Sequence, residues 1–438
     1  MADTNGKLFS PALMRAVKDR FLHVDQDAAG RERLYFDNAG GAFRLKAAID
    51  CFAHVDAIPD NTERHHAAAA ELQDVQARGA ADLRTILNAT GGSVFASLTA
   101  SGAMFDMVRA VAENIPGRNM VTTVLEHPSA FDAMTLYAER LGKELRVARS
   151  NVATGGVDVE EIVGLVDQDT CLLNVIYASN ISGAKLDIEE IVRRARLIKP
   201  DLYIVVDAVQ HAPHGHIDLQ KTPVDGINIA PYKFFGSRGS GFAWLSDRAA
   251  KLPHHKLGAK NADVWDLGSS APWQFAVVTA IVDYVCWLGA QATMPSSVSG
   301  RHELFVQGME TIALHERALL ARLLDGSEGS RGLRRMEKVT VFLDHGDLSK
   351  RDLILAIGFD TIDCSEAVSE YEKRGVIVYE RVASSLYSKR MLESFGLEGA
   401  VRVSPLHCNS EADVDRFLAI TREISEALTP ATVRCSRS

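Results

Sequence analysis

The amino-acid sequence predicts an α/β fold: a large domain built on a mostly parallel sheet, followed by a smaller α+β C-terminal domain. Three observations carry that prediction. From about Lys46 to Gly289, helical stretches such as "AAELQDVQARGAADLRTIL" and "AMFDMVRAVAENI" alternate with the short β-branched runs "NMVTTV", "TCLLNVIYA", "LYIVVDAV" and "GINIA". Such alternation builds strand-helix-strand units whose parallel strands are buried on both faces and so read as continuous apolar runs. Beyond Arg301 the rhythm becomes one long helical pattern through Leu324, then the glycine- and serine-rich break "LLDGSEGSRG", then the isolated strands "KVTVFL", "GVIVY" and "AVRVS". The expected division is residues 1–45 as an N-terminal segment packing on the small domain, 46–295 as the large domain and 296–438 as the small one.

At the N-terminus, Ser10 precedes Pro11 and a run of apolar residues at helical spacing, which marks a helix start rather than a signal peptide. The apolar stretch Phe275 to Met294 is interrupted by Asp283 and reads as a buried helix in preference to a membrane span. With 438 residues, 47% hydrophobic and 24% charged, the chain has the composition of a soluble two-domain protein. A formal charge of −9 without basic runs argues against nucleic-acid or anionic-membrane partners and for a small polar substrate. Cys51, Cys171, Cys286, Cys364, Cys408 and Cys435 are scattered, which fits a reducing cytoplasm and neither a disulfide framework nor a metal site.

The run "LYIVV" ends in Asp207, which places a carboxylate at the C-terminal edge of a buried strand, where open α/β sheets bind their ligands. A carboxylate there needs a cationic partner. Twenty-six positions later Lys233 enters a glycine-rich turn, and the intervening residues leave room for one short connection and the strand "GINIA". Both groups can therefore reach one sheet edge. Two readings are open: an ordinary ion pair, or a site for pyridoxal 5'-phosphate, with Asp207 holding the proton on the pyridine nitrogen and Lys233 supplying the imine. "LTASGAM" opens a helix, so the amides of Gly102, Ala103 and Met104 can face a phosphate. His127, in "TTVLEHPSA", either stacks on an aromatic ring or is structural. Asn180, in "VIYASNISG", either bonds a ring oxygen or stabilises a turn, and Gln210 can reach the same oxygen.

In order, "YFDNAGG", "SGAM", "EHPSA", "ASNISGAKLDI", "VVDAVQHAPHGHIDL", "APYKFFGSRGSG" and "VRVS" resemble the class V pyridoxal-phosphate enzymes, the cysteine desulfurase-like aminotransferase family, across nearly the whole chain. The resemblance implies the type I transferase fold of these enzymes, with a seven-stranded large-domain sheet. It implies that Lys233 bears the cofactor, Asp207 pairs with the pyridinium, His127 stacks on the ring, and Asn180 and Gln210 address the phenolic oxygen. It gives Arg402 the substrate carboxylate, a task suited to its forked donors. It also implies a homodimer in which Ser269, in "LGSSAP", reaches the neighbouring subunit's phosphate. Asn38, near the "NAGG" turn, and Arg381, near the active-site loop, are expected at the substrate, with Arg381 and Arg238 either binding a second anionic group or lying in solvent.

The sequence departs from the family where serine, histidine and threonine give way to Ala230, Tyr232 and Met104. Tyr232 either compensates with its hydroxyl or packs beside the amine. A desulfurase also needs a soft thiolate on the loop after the "GVIVY" strand. Here that loop reads "ERVASSLYSKRM", with Ser384 and Ser385 about where the cysteine stands. The expected activity is thus a cytoplasmic C–S β-elimination lyase of a small amino acid, lacking the persulfide cysteine. An aminotransferase or epimerase, and an inactive scaffold of the same fold, are the alternatives.

Overall fold

The computed structural model describes residues 6–292 and 300–427. Its central sheet has seven strands: β1 (Ser93–Ser97), β2 (Asn119–Thr123), β3 (Glu144–Ala148), β4 (Thr170–Ile176), β5 (Tyr203–Asp207), β6 (Gly226–Ile229) and β7 (Gly241–Leu245). They lie in the order β1-β7-β6-β5-β4-β2-β3, and only β7 runs against the others. The apolar runs read from the sequence supply the four central parallel strands, and β2, β4 and β6 are buried at every position. "GFAWL" adds the antiparallel β7, which the alternation alone does not reveal.

The helices begin where the sequence offers caps. α1 (Pro11–Lys18) starts at Ser10, whose hydroxyl accepts from the Leu13 amide at 3.2 Å. α2 (Lys46–Asp56) and α3 (Ala67–Leu87) follow, then α4 (Ala100–Asn114) and α5 (Pro128–Leu141) on either side of β2 in sequence. α6 (Pro272–Ala292) is the one helix among the described residues long and apolar enough to cross a membrane. It packs instead against α2, α3 and α7 (Arg301–Asp325), with 72% of that stretch buried inside the chain. Thr293 and Met294, the end of the apolar stretch read from the sequence, lie outside the described residues.

The small domain carries a four-stranded antiparallel sheet, β8 (Val339–Phe342), β9 (Leu355–Phe359), β10 (Tyr379–Val382) and β11 (Gly399–Val403), in the order β8-β9-β11-β10. α7 joins the two cores: Phe305, Met309 and Ile312 enter that of the large domain, and Leu319, Leu320, Leu323 and Leu324 that of the small one. The N-terminal segment also serves both. Leu34 and Phe36 lie in the small-domain core beside Val376, whereas Met14, Val17 and Phe21 lie in the large one, so the segment straps the two together rather than packing on the small domain alone.

The crossing of α6 and α7 depends on Gly308, where a Cβ would sit 2.1 Å from the Val285 carbonyl oxygen. Forcing these backbones apart costs about 1–3 kcal/mol in a packed core. Gly308→Val is therefore expected to lower the unfolding free energy measured in urea by that amount, while Gly258→Ala, which faces open space, stays within about 0.5 kcal/mol of the parent.

Candidate active site

The strand register sets the site. Ile176 at the end of β4 pairs with Asp207 at the end of β5, and Asp207 pairs with Asn228 on β6, so three strand ends form one edge. Asp207 is 3% exposed and accepts from the Val209 amide at 3.0 Å. Burial raises its pKa, opposed by the Val209 hydrogen bond and by the charge of Lys233. A carboxylate at this depth is stable as an anion only beside a cation.

The turn after β5 closes on itself, with the Ala212 and His214 amides donating to the Ala208 and His211 carbonyls. Two buried pairs tie it to the rest of the chain: His211 Nδ1 to Asp352 at 3.0 Å and His214 Nδ1 to Glu316 at 2.7 Å. So held, Gln210 Oε1 accepts from Lys233 Nζ at 3.0 Å. Lys233 follows β6 on a turn in which its own amide donates to the Ala230 carbonyl and that of Gly236 to the Pro231 carbonyl. Phe235 closes this turn at φ 65°, a left-handed conformation uncommon for an aromatic residue. Edge contacts with Phe21, Tyr284 and His407 hold its ring there. Burial, and then the Arg402 guanidinium, lower the Lys233 amine from 10.5 to about 7, against the pull of Asp207.

Asp207, Gln210, Lys233, His127, Asn180 and Tyr232 line one cavity of about 260 Å³. His127 caps α5, its Nδ1 accepting from the Ser129 amide at 3.2 Å and lying 2.7 Å from the Ser129 hydroxyl. Burial and the nearby cations Lys233, Arg381 and Arg390 push it down to about 3, so it presents a neutral ring near pH 7. Asn180 Oδ1 is buried without a partner. The Tyr232 ring lies 4.7 Å from the Arg238 guanidinium.

The anion-binding end differs from the expectation. Thr99 caps α4, its hydroxyl taking the Gly102 amide and its carbonyl the Ala103 amide, so neither amide is free. Met104 is fully buried in the core, with Asn174 Nδ2 3.5 Å from its sulfur. Thr99, Ala100 and Ser101 face the cavity in place of Gly102, Ala103 and Met104. Ser240, also on the wall, has a buried hydroxyl without a partner. Gly241 lets this loop press on α4, since a Cβ there would lie 2.1 Å from the Ala100 nitrogen. A buried carboxylate wanting a cation, a neutral flat ring, a buried amine with a depressed pKa, and unpartnered polar atoms beside a helix start together fit pyridoxal phosphate.

Arg402 on β11 is 3% exposed and reaches across to the large domain. It donates to the Asp37 carboxylate at 2.7 Å and to the Asn180 carbonyl at 3.3 Å, and its Nε has no partner. Asn38 is not available to a substrate: its amide donates to the Tyr35 and Ser404 carbonyls and accepts from the Phe43 amide, so it ties the "NAGG" turn to β11. Its neighbour Asp37 is the residue that sequence reasoning missed. Arg381 on β10 is 6% exposed, so it is not in solvent, and its Nη2 donates to the Tyr387 carbonyl at 3.0 Å. Ser269 lies outside the cavity of its own chain, 2.6 Å from Glu63. Cys364 and Cys408 line no part of the cavity, and burial raises both thiols.

The aminotransferase class-V family model matches residues 34–417. A cysteine desulfurase from Cronobacter sakazakii is 25% identical over 312 residues, 69% of this chain and 70% of its own. A probable cysteine desulfurase from Xylella fastidiosa is 23% identical over 429 residues, 93% of this chain and 94% of its own. Among solved structures, the apo cysteine desulfurase from Thermococcus onnurineus superposes with a TM-score of 0.80 at 17% identity, covering 97% of this chain and all of that one. The S-sulfonic acid form of the cysteine desulfurase CsdA from Escherichia coli gives 0.71 at 18%, covering 97% and all.

Beneath the site Glu126 is fully buried, accepting from Thr123 Oγ1 at 2.7 Å and the Ile176 amide at 2.9 Å, and burial lifts its carboxyl to about 8. An acid whose pKa is raised on folding favours the folded chain below its ordinary 4.5 and loses that contribution as pH climbs through 8. Glu126→Gln is neutral throughout and is expected to flatten the fall in unfolding free energy over that window. Identical slopes in chemical denaturation would contradict the assignment.

Proposed function

The chain belongs to the aminotransferase class-V family, whose enzymes use pyridoxal phosphate, and on that premise we propose that it catalyses β-elimination on a small amino acid instead of passing sulfur to a protein thiol. The observation that carries this reading is that Lys233 and Asp207 line a cavity to which no cysteine among the described residues contributes, with the buried Arg402 guanidinium close enough to depress the Lys233 amine. Ser384 and Ser385 stand on the loop where a persulfide carrier would be needed, and a hydroxyl has neither the acidity nor the sulfur affinity for that role.

When bound, the cofactor supplies a cationic ring that stores the electron pair released at Cα. Asp207 would hold the proton at the ring nitrogen, and its burial would strengthen that attraction. Lys233 would hold the cofactor through its aldehyde, and as a free amine near pKa 7 it is well matched to take the substrate Cα proton as general base. Gln210 aims Nζ. His127, neutral, offers its ring face without adding a charge that would compete for the proton. Arg402 receives the substrate carboxylate through its unpartnered Nε edge. As part of the same proposal the enzyme is a cytoplasmic homodimer, its exposed Ser269 turn completing the neighbouring subunit's phosphate site.

Loaded protein is expected to show the visible absorbance of a lysine-bound cofactor, lost in Lys233→Ala. Fed a panel of β-substituted amino acids, it should release pyruvate, ammonia and the β-substituent. A keto acid with aminated cofactor would replace elimination with transamination, and a colourless protein would replace both with a scaffold. Because the neutral amine is the nucleophile, the rate of cofactor capture by stripped protein should rise as pH passes about 7. A flat rate over pH 6–9 would contradict the depressed pKa.

A further inference from the structure

Arg381 belongs to the same site but has no part in the chemistry above. β10 pairs antiparallel with β11 so that Tyr379 opposes Arg402 and Arg381 opposes Ala400. Side chains alternate across a strand, so Tyr379, Arg381 and Arg402 share the sheet face turned to the large domain. The Tyr379 ring lies 5.2 Å from the Arg402 guanidinium. Arg381 acts electrostatically on both Lys233 and His127, and the Tyr387 ring, whose carbonyl it holds, is 6.2 Å from the His127 ring. It therefore lies within electrostatic reach of the His127 side of the cavity without being one of its lining residues.

The charges around Lys233 do not match one to one. Arg402 is paired with Asp37 at 2.7 Å, and Asp207 is committed to the cofactor ring under the reading above. Arg238 stacks on Tyr232 at the cavity mouth. Arg381, in contrast, is 6% exposed, has no carboxylate within ion-pair distance among the described residues, and carries a buried Nε without a partner. Burial and the neighbouring Arg402 weaken its hold on its proton, to a pKa of about 10. A buried cation and a buried unsatisfied donor are both destabilising, and an anion seated against Arg381 relieves both at once.

We propose that Arg381 is a specificity residue that binds a second anionic group on the side chain of the substrate, which makes the preferred substrates acidic amino acids ending in a carboxylate, sulfinate or sulfonate. Arg402 and Arg381, both of which act electrostatically on Lys233, then grip the two ends of one dianion. The competing assignment gives Arg381 the α-carboxylate and leaves Arg402 to Asp37; the two assignments differ in which substrates suffer when Arg381 is removed.

The inference rests on the proposed cofactor site, so the test uses cofactor-loaded protein and reads the change in its visible spectrum as amino acids are titrated in. L-Aspartate is compared with L-asparagine, its neutral isostere, and L-cysteine sulfinate with L-alanine. The expected result is a preference of about tenfold to a hundredfold for the acidic member of each pair, the range of a charge-assisted contact. That ratio should collapse toward one in Arg381→Gln and partly recover in Arg381→Lys, with cofactor absorbance retained in both. No preference in the parent protein would overturn the proposal, as would an equal loss for acidic and neutral ligands in Arg381→Gln. If Arg381→Gln fails to hold cofactor, Arg381→Met, which keeps bulk without charge, decides: an acidic-to-neutral ratio equal to the parent's overturns the proposal, and a reduced one supports it. A parent protein that takes up no cofactor overturns the underlying reading of the cavity instead.

Discussion

A carboxylate buried at the end of a buried strand is the constraint around which this site is organised. Asp207 sits where β5 is hydrogen-bonded on both sides, so it cannot swing to solvent, and the low dielectric that penalises its charge also magnifies its attraction for any cation brought near. Lys233 arrives from the next strand over and meets the same penalty from the opposite sign. A cavity lined by such a pair is stabilised by a ligand carrying one positive and one electrophilic end.

The small domain completes the arrangement. Arg402 crosses to Asp37 and to the Asn180 carbonyl, while Asp352 and Glu316 grip the two histidines that fix the turn carrying Gln210. The group that orients the lysine amine is thus held partly from outside the large domain, and the N-terminal strap, seated in both cores, limits how far the two halves can part. Relative motion of the domains would alter Gln210 and Arg402 together.

The parts of the site legible in the sequence are those at the ends of regular strands. The apolar runs fixed where β2, β4, β5 and β6 end, so His127, Asn180, Asp207 and Lys233 could be brought to one edge without coordinates. Turn residues were less accessible. Asn38 and Asp37 are adjacent, and nothing periodic says which faces the arginine; the structure spends the asparagine on backbone groups and gives Arg402 the aspartate. At the start of α4 the cap at Thr99 takes the Gly102 and Ala103 amides and Met104 lies in the core, so Thr99, Ala100 and Ser101 face the cavity instead. The burial of Arg381 follows from the register of β10 against β11, a long-range pairing that short strands in a small α+β domain do not announce.

The central claim is that the amine at position 233 is the group that holds the cofactor. Borohydride reduction of the loaded protein, which fixes a lysine-bound aldehyde as a stable secondary amine, followed by peptide mass mapping, tests it most directly. The account predicts a single modified peptide with the pyridoxyl group on Lys233. Modification spread over surface lysines, or none at Lys233, would contradict it.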